Sequence, residues 1–321
     1  MNDLHEKSPC CRGKIRRFGN RRRQCSICLQ TWSVWKRKRG AKRKRISFSA
    51  LYRYLKNNNG PLKKPYLRAR MRRDLKVFNQ KTRWPKTPSG PLIAIADGMI
   101  QRIGYQDYTF YFILLKKVDS NQAIIKHPLF LSGLETSVGW KKAFDSLPKK
   151  VRKRIIALVC DGRSSLINLS RERGWFLQRC HFHLRARISQ YTSLNYLSRS
   201  RQVAQEINCQ VRIILTSRQK TQVKIALDKL EKLQENLRSA SLKRVLSGFL
   251  HNYEDYRTYL LHPKLNLPST TNTAESLISL VRDLQRRARG FNSLSSLKEW
   301  ITGLLKHQKN MTCNGYKNQQ N

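Results

Sequence analysis

Two stretches of this 321-residue chain are apolar runs closed by aspartate and glycine: Pro91-Leu92-Ile93-Ala94-Ile95-Ala96-Asp97-Gly98 and Ile155-Ile156-Ala157-Leu158-Val159-Cys160-Asp161-Gly162. An uninterrupted apolar run fits a strand buried on both faces. Each aspartate should then emerge at the C-terminal end of its strand, where open α/β sheets hold ligands. One Asp-Gly pair is ordinary turn chemistry. Two such ends at one sheet edge set carboxylates side by side, and close carboxylates repel unless a cation lies between them, which calls for a divalent metal. A third carboxylate, Glu275, opens a helical pattern at Asn272-Thr273-Ala274-Glu275. With Asn at the cap and Glu three residues on, this segment also reads as a capping box. Helical spacing sets Glu275, Ser279, Arg282, Arg286 and Arg289 on one face, and Leu277, Leu280, Val281, Leu284 and Ala288 on a side able to pack on a sheet. A carboxylate followed by arginines along one ridge suits a metal beside a phosphate backbone.

A second cluster lies near the start of the chain. Cys25-Ser26-Ile27-Cys28 has zinc-knuckle spacing, and Cys10-Cys11 stands upstream across a basic turn from Lys14 to Arg23. Tetrahedral Zn²⁺ needs four thiolate or imidazole ligands, and a short module without a core depends on metal to fold. A ribbon would read Cys-Pro-x-Cys in its first knuckle, but Ser8-Pro9-Cys10-Cys11 puts serine at the first position. Cys11, Cys25 and Cys28 are therefore the candidate ligands, with Cys10 or His5 as the fourth. A degenerate knuckle that holds no metal is the alternative. Residues 1–35 are read as this zinc-ribbon-like module.

Composition selects the partner. With 66 Lys+Arg against 19 Asp+Glu the net charge is +47, which opposes compaction unless much of it faces a polyanion, so nucleic acid is expected. No apolar run approaches the ~20 residues of a membrane span, and the polar, soon basic N-terminus has no secretory pattern. Eight cysteines without an evident disulfide framework suit a reducing compartment. No acidic residue occurs between Glu6 and Asp74, while Lys36-Arg37-Lys38-Arg39 and Lys42-Arg43-Lys44-Arg45 form basic tetrads suited to DNA. Helical spacing over 47–55 and 66–79, broken at Asn57-Asn58-Asn59-Gly60-Pro61, allows either a helix-turn-helix-like DNA reader or a solvated helical pair. Trp84 to Gly90 reads as a linker, so that 36–90 forms a basic helical segment.

From Pro91 the pattern becomes α/β. Strands are expected at 91–97, at 108–115 and around Ala123-Ile124-Ile125, with a hairpin at Asp119-Ser120-Asn121-Gln122. A helix from Trp140 to Leu147 ends at Pro148; the strand to Asp161, a helix from Ser164 to Arg173 and a short strand at Trp175 to Gln178 follow. The sum is a mixed five-stranded sheet with helices on both faces, the outline of the RNase H-like fold, in which the first and fourth strands are neighbours and Asp97 and Asp161 meet. That core spans 91–183 and resumes at 269–310 with its last helix and tail. Between them, stripes such as Val223, Leu227, Leu230, Leu233 and Leu237 predict an all-α insertion over 184–268. Residues 311–321 are read as disordered.

Taken together, Asp97-Gly98, Cys160-Asp161-Gly162, Arg179-Cys180-His181-Phe182-His183, Thr270-Thr271-Asn272-Thr273-Ala274-Glu275-Ser276 and Arg286-Arg287-Ala288-Arg289-Gly290-Phe291 resemble, in order and spacing, the DDE transposases of the mutator-like superfamily. That superfamily includes bacterial insertion-sequence members with an N-terminal zinc ribbon. The resemblance covers roughly 90–300. It implies an RNase H-like fold, a two-metal Mg²⁺ (or Mn²⁺) site on Asp97, Asp161 and Glu275, and a Cys-x-x-His motif at Cys180 and His183 close by. It further implies binding of double-stranded DNA, both transposon ends and target, with strand cleavage and strand transfer, as a homodimer or higher oligomer. The expected location is a bacterial cytoplasm, associated with the nucleoid, without membrane partners. Three other readings stay open: a catalytically silent DNA-binding protein derived from a transposase, a structure-selective nuclease on the same fold, and a basic RNA-binding module.

Overall fold

The computed structural model describes residues 8, 10–18, 22–33, 47–52, 65–192 and 198–313, within two compact units, Met1–Arg45 and Ile46–Asn321. In the first unit, β1 (Ile15–Arg17), β2 (Arg22–Cys25) and β3 (Thr31–Ser33) form an antiparallel sheet in that order. Its apolar interior is minimal. Among its described residues Cys25 is the buried apolar side chain, while Phe18, Ile27 and Leu29 are exposed. Strands this short with no core beneath them need a cross-link.

The second unit is a mixed α/β structure. Its seven-stranded sheet contains β4 (Leu92–Ile103), β5 (Gln106–Lys117), β6 (Gln122–Ile125), β7 (Leu129–Ser132), β8 (Ile155–Cys160), β9 (Phe176–Arg179) and β10 (Asn310–Thr312). The order is β10-β6-β5-β4-β8-β9, with β7 beside the first half of β5. β4, β8 and β9 run parallel, whereas β5, β6 and β10 alternate antiparallel. The sheet thus exceeds the five strands expected. β7 and β10 are short and half exposed, so no apolar run marks them. β10 also corrects the reading of 311–321 as disordered: residues 310–312 pair with β6, and buried Cys313 donates its N–H to the Asn121 carbonyl at 2.7 Å. The rest of that tail lies outside the described residues.

Strand alternation decides what each face carries. Ile93, Ile95, Ala157 and Val159 enter one core, and Leu92, Ala94, Ala96, Leu158 and Cys160 the other. Ten described α-helices of the unit matter here. The first, α1 (Pro65–Lys81), covers the first face together with the helical residues 48–52. Phe48, Leu51, Met71 and Leu75 are buried there. The expectation of a separate segment at 36–90 is therefore corrected for its described part, because those four side chains help close the central core. Neither are they a solvated pair. Opposite lie α2 (Ser137–Asp145), capped by the Thr136 hydroxyl, the short α3 (Lys149–Arg152) and α4 (Ser164–Glu172).

The helical insertion follows β9, with α5 (His181–Ser189), α6 (Ser198–Thr216), α7 (Lys220–Glu235) and α8 (Ala240–Leu250) around a third core that includes Ile188, Val211, Leu230 and Leu246. It is tied to the sheet by buried hydrogen bonds: Gln178 Nε2 donates to Tyr256 O at 2.9 Å, and Gln178 Oε1 accepts from Tyr259 N at 2.9 Å. The chain then returns to the first face through α9 (Asn272–Arg287) and α10 (Leu294–Gln308). Leu277, Val281 and Leu284 of α9 are fully buried where that helix packs on β4 and β5, and Ile301 and Leu305 of α10 are fully buried in the same core, where α10 packs on α1 and α9.

Candidate functional site

Parallel pairing of β4 with β8 aligns Ile95 with Val159. Two residues further on, both aspartates point to the face that α9 covers, since positions two apart share a face. Glu275, in the first turn of α9, meets them there. Asp97, Asp161 and Glu275 line one open pocket of about 950 Å³, with Arg163, His183, Arg187 and Arg282 on its walls. One expectation needs correction. Asp97 lies in the middle of β4, which continues to Ile103 paired with β5. It is β8 that stops at Cys160, leaving the flank of β4 beside Asp97 free of a strand partner.

Both glycines serve the site rather than a turn alone. A Cβ on Gly98 would sit 2.9 Å from Glu135 Oε2, so glycine there admits a fourth carboxylate. Gly162 has φ +86°, and its Cβ would lie 2.7 Å from Arg179 Nε; left-handed backbone and a close neighbour both exclude a side chain. Arg179 is itself held over the Tyr256 ring at 4.6 Å.

Electrostatics follow from this crowding. Burial, then the neighbouring Asp161, pushes Asp97 up to about 7, and Glu275 and Glu135 add to the effect, although the Gly98 N–H donates to Asp97 Oδ1 at 2.8 Å. Arg163 braces the rim: its backbone N–H and Nε each reach Asp161 at 3.0 Å, and its Nη1 lies 3.2 Å from Glu135 Oε2. Trp140 Nε1 donates to Glu135 Oε1 at 2.7 Å, and burial raises the pKa of this carboxyl. Nothing in the sequence marked Glu135. Arg163 directly follows Asp161-Gly162, which is the signal that could have found it.

A pH signature follows for the metal-free protein. Folded Asp97 keeps its proton to about pH 7, whereas the unfolded carboxyl loses it near 3.8. Stability contributed by the neutral form is present below pH 4 and is lost as pH rises through 7, by up to about 4 kcal/mol. Buried His181, lowered to about 4, works in the opposite direction, so the comparison must be with Asp97→Asn. In urea titrations with EDTA, the stability of wild type relative to Asp97→Asn is expected to fall between pH 4 and 7. A flat difference would refute the raised Asp97.

Beside Asp97 and Asp161 lies a mixed-ligand cluster. Donor atoms of Cys180, His183 and Glu275 lie within 4.8 Å of one another. Thr271 joins them: its Oγ1 lies 2.8 Å from Glu275 Oε1, 3.2 Å from Cys180 Sγ and 3.5 Å from His183 Nδ1. The capping box does not form. Helix α9 starts at Asn272 with Thr271 as its cap residue, and the Glu275 carboxylate accepts from the Thr271 hydroxyl. The basic ridge is likewise shorter than expected. Arg282 lines the pocket, but Arg286 approaches Asp283 at 3.6 Å, and Arg289 stands past the helix end at φ +53°, off the shared face. The tetrads at 36–39 and 42–45 lie outside the described residues.

In the N-terminal unit the sulfurs of Cys10, Cys11, Cys25 and Cys28 lie within 4.8 Å of one another, a set that could hold a metal such as zinc. Cys10 supplies the fourth donor, and His5 lies outside the described residues. Ser8, in the place of the ribbon's first cysteine, is a donor to a ligand instead: its Oγ–H reaches Cys25 Sγ at 3.1 Å. This bond is the chief cause of the Cys25 thiol's lowering to about 6, while the hydrogen bond with Cys28 is the first of the causes raising Cys11 to about 12. Four sulfurs crowded this closely are the pattern a cation would relieve.

Among the described residues no helix is long and apolar enough to cross a membrane. No protein-family model matches the chain, and no curated protein matches it.

Proposed function

We propose that this chain is a DDE-type DNA transposase on an RNase H-like sheet, acting as a metal-dependent phosphoryl-transfer enzyme on double-stranded DNA. One observation carries the reading. Three carboxylates from β4, from the end of β8 and from the start of α9 line a single open pocket with arginines on its walls, in a chain of net charge +47. The donor set fits a hard divalent cation: its atoms are carboxylate oxygens, and burial, with the repulsion of the neighbouring carboxylates added to it, holds a proton on Asp97 near neutrality. Asp97, Asp161 and Glu275 would hold Mg²⁺ or Mn²⁺, which supplies Lewis-acid activation of the attacking and leaving oxygens.

The chain's own residues do the rest. Asp97 releases its proton when the site is filled. Arg163 keeps Asp161 oriented through two hydrogen bonds. Arg187 and Arg282 face the pocket as exposed guanidiniums able to grip a phosphodiester in two-pronged fashion. The N-terminal unit, with its four cysteines, and the basic tetrads would bind the ends of the element, and pairing of two ends would call for a dimer.

The test uses purified full-length protein, Mg²⁺ or Mn²⁺, a labelled duplex carrying the flanking element's terminal repeat, and a supercoiled plasmid. Cleavage at the repeat boundary followed by joining to the plasmid is expected. Cleavage of branched DNA without dependence on the repeat would move the reading to a nuclease. Binding without products in any metal would sink the enzymatic reading.

A further inference from the structure

The Cys180, His183 and Glu275 cluster has chemistry that the carboxylate pocket lacks. It offers one sulfur, one imidazole nitrogen and one carboxylate oxygen, all within 4.8 Å of one another. His183 Nδ1 stands 3.5 Å from Glu275 Oε1, and the Thr271 hydroxyl lies 2.8 to 3.5 Å from all three donors. Ligands on one tetrahedral zinc, at ~2.0–2.3 Å from the metal, are separated by roughly 3.3–3.8 Å. The His183–Glu275 separation of 3.5 Å falls in that range, and the Cys180 sulfur lies within 4.8 Å of both, with Thr271 or a water at the fourth corner. Soft sulfur with imidazole selects Zn²⁺ over the hard cations that oxygen ligands prefer.

Placement supports occupancy. Cys180 is the cap residue of α5, and its buried sulfur is fixed by the Thr271 N–H at 3.3 Å. His183 and Glu275 lie on the pocket wall, which gives an ion a route from solvent.

We propose that Cys180, His183 and Glu275 form a second transition-metal site, suited to Zn²⁺, which competes with Asp97 and Asp161 for Glu275. Zinc bound there takes the Glu275 oxygen that the carboxylate pocket needs, so zinc acts as an inhibitor of the Mg²⁺-dependent reaction. Only the inhibition rests on the transposase reading; metal binding does not.

The experiment counts metal. Full-length protein is stripped with chelator, reloaded with Zn²⁺, desalted and analysed by mass spectrometry of the metal, with circular dichroism to check folding. Wild type is expected to hold two equivalents per chain. Cys180→Ser with His183→Gln should hold one, and a variant with Cys10, Cys11, Cys25 and Cys28 all changed to Ser should hold the other. Loaded with Co²⁺, that four-serine variant should show a thiolate charge-transfer band and tetrahedral d–d bands, and this decides the matter even if the Cys180 variant does not fold. A single equivalent in wild type, a second equivalent that survives loss of Cys180 and His183, or a Co²⁺ spectrum without the thiolate band overturns the site. Where Mg²⁺-dependent nicking is measurable, Zn²⁺ at ten times its Kd should slow it by about tenfold, and Cys180→Ser should bring that ratio close to one. A bound second zinc with no such effect overturns the competition. Absence of any nicking condemns the transposase reading and leaves the metal count to decide the site.

Discussion

Asp161→Asn is expected to fold, to bind DNA, and to lose strand cleavage and joining together, each by at least about 10³-fold, equivalent to ~4 kcal/mol of transition-state stabilisation. Asparagine keeps the size of the side chain and one carbonyl oxygen, so the Arg163 N–H at 3.0 Å retains an acceptor. The Arg163 guanidinium still has Glu135 Oε2 at 3.2 Å. Packing is undisturbed, because the side chain sits at the open end of β8, 11% exposed, and the melting temperature should move by no more than a few degrees. What disappears is the negative charge beside Asp97 that a cation in this pocket would need. Asp97 should respond as well: Asp161 is the second cause of its elevation after burial, so its pKa falls in the variant. The measurement is the repeat-duplex assay with wild type in parallel, and binding is compared at matched salt because affinities at this charge are salt-dominated. Cleavage retained by Asp161→Asn would remove the carboxylate pocket from the mechanism.

Cys25→Ser combined with Cys28→Ser should unfold the N-terminal unit and leave the larger one intact. Strands of three and four residues cannot hold that unit together, and Cys25 is the buried apolar side chain among its described residues. A structural zinc site contributes about 10–16 kcal/mol of apparent binding free energy in small modules, more than such a sheet could obtain otherwise. The larger unit has three apolar cores of its own. Amide spectra should therefore lose the dispersed signals of β1 to β3 and keep those of the main sheet. Chelator should give the same change in wild type. Dispersed β1 to β3 signals after both treatments would show that metal does not support the unit.

The sequence by itself determined the features that are local. Apolar runs ending in Asp-Gly specified β4 and β8, and the period of two put Asp97 and Asp161 on the same side as Ile93, Ile95, Ala157 and Val159. The 3.6 period specified α9 with its buried Leu277, Val281 and Leu284, and Cys-x-x-Cys spacing with the upstream pair marked Cys11, Cys25 and Cys28, while Cys10 as the fourth sulfur came from the tertiary structure. Only the tertiary structure decided what depends on partners distant in the chain. The strands β7 and β10 exist because β5 and β6 offer them free edges, a property of the sheet that no four-residue window carries. Glu135 is brought to Asp161 by Arg163 and to Gly98 by the absence of a Cβ, and neither contact leaves a periodic trace. Thr271 could be read as part of a helix start, but its hydroxyl is turned away from capping by Glu275, Cys180 and His183. Residues 65–81 looked like a basic surface helix, because six of the seventeen are Arg or Lys, and 48–52 was read as its partner. Four apolar side chains buried against the last helices decide their place instead, since burial of even a few such groups outweighs the preference of the surrounding charges for water, which the exposed side of the same helix still satisfies.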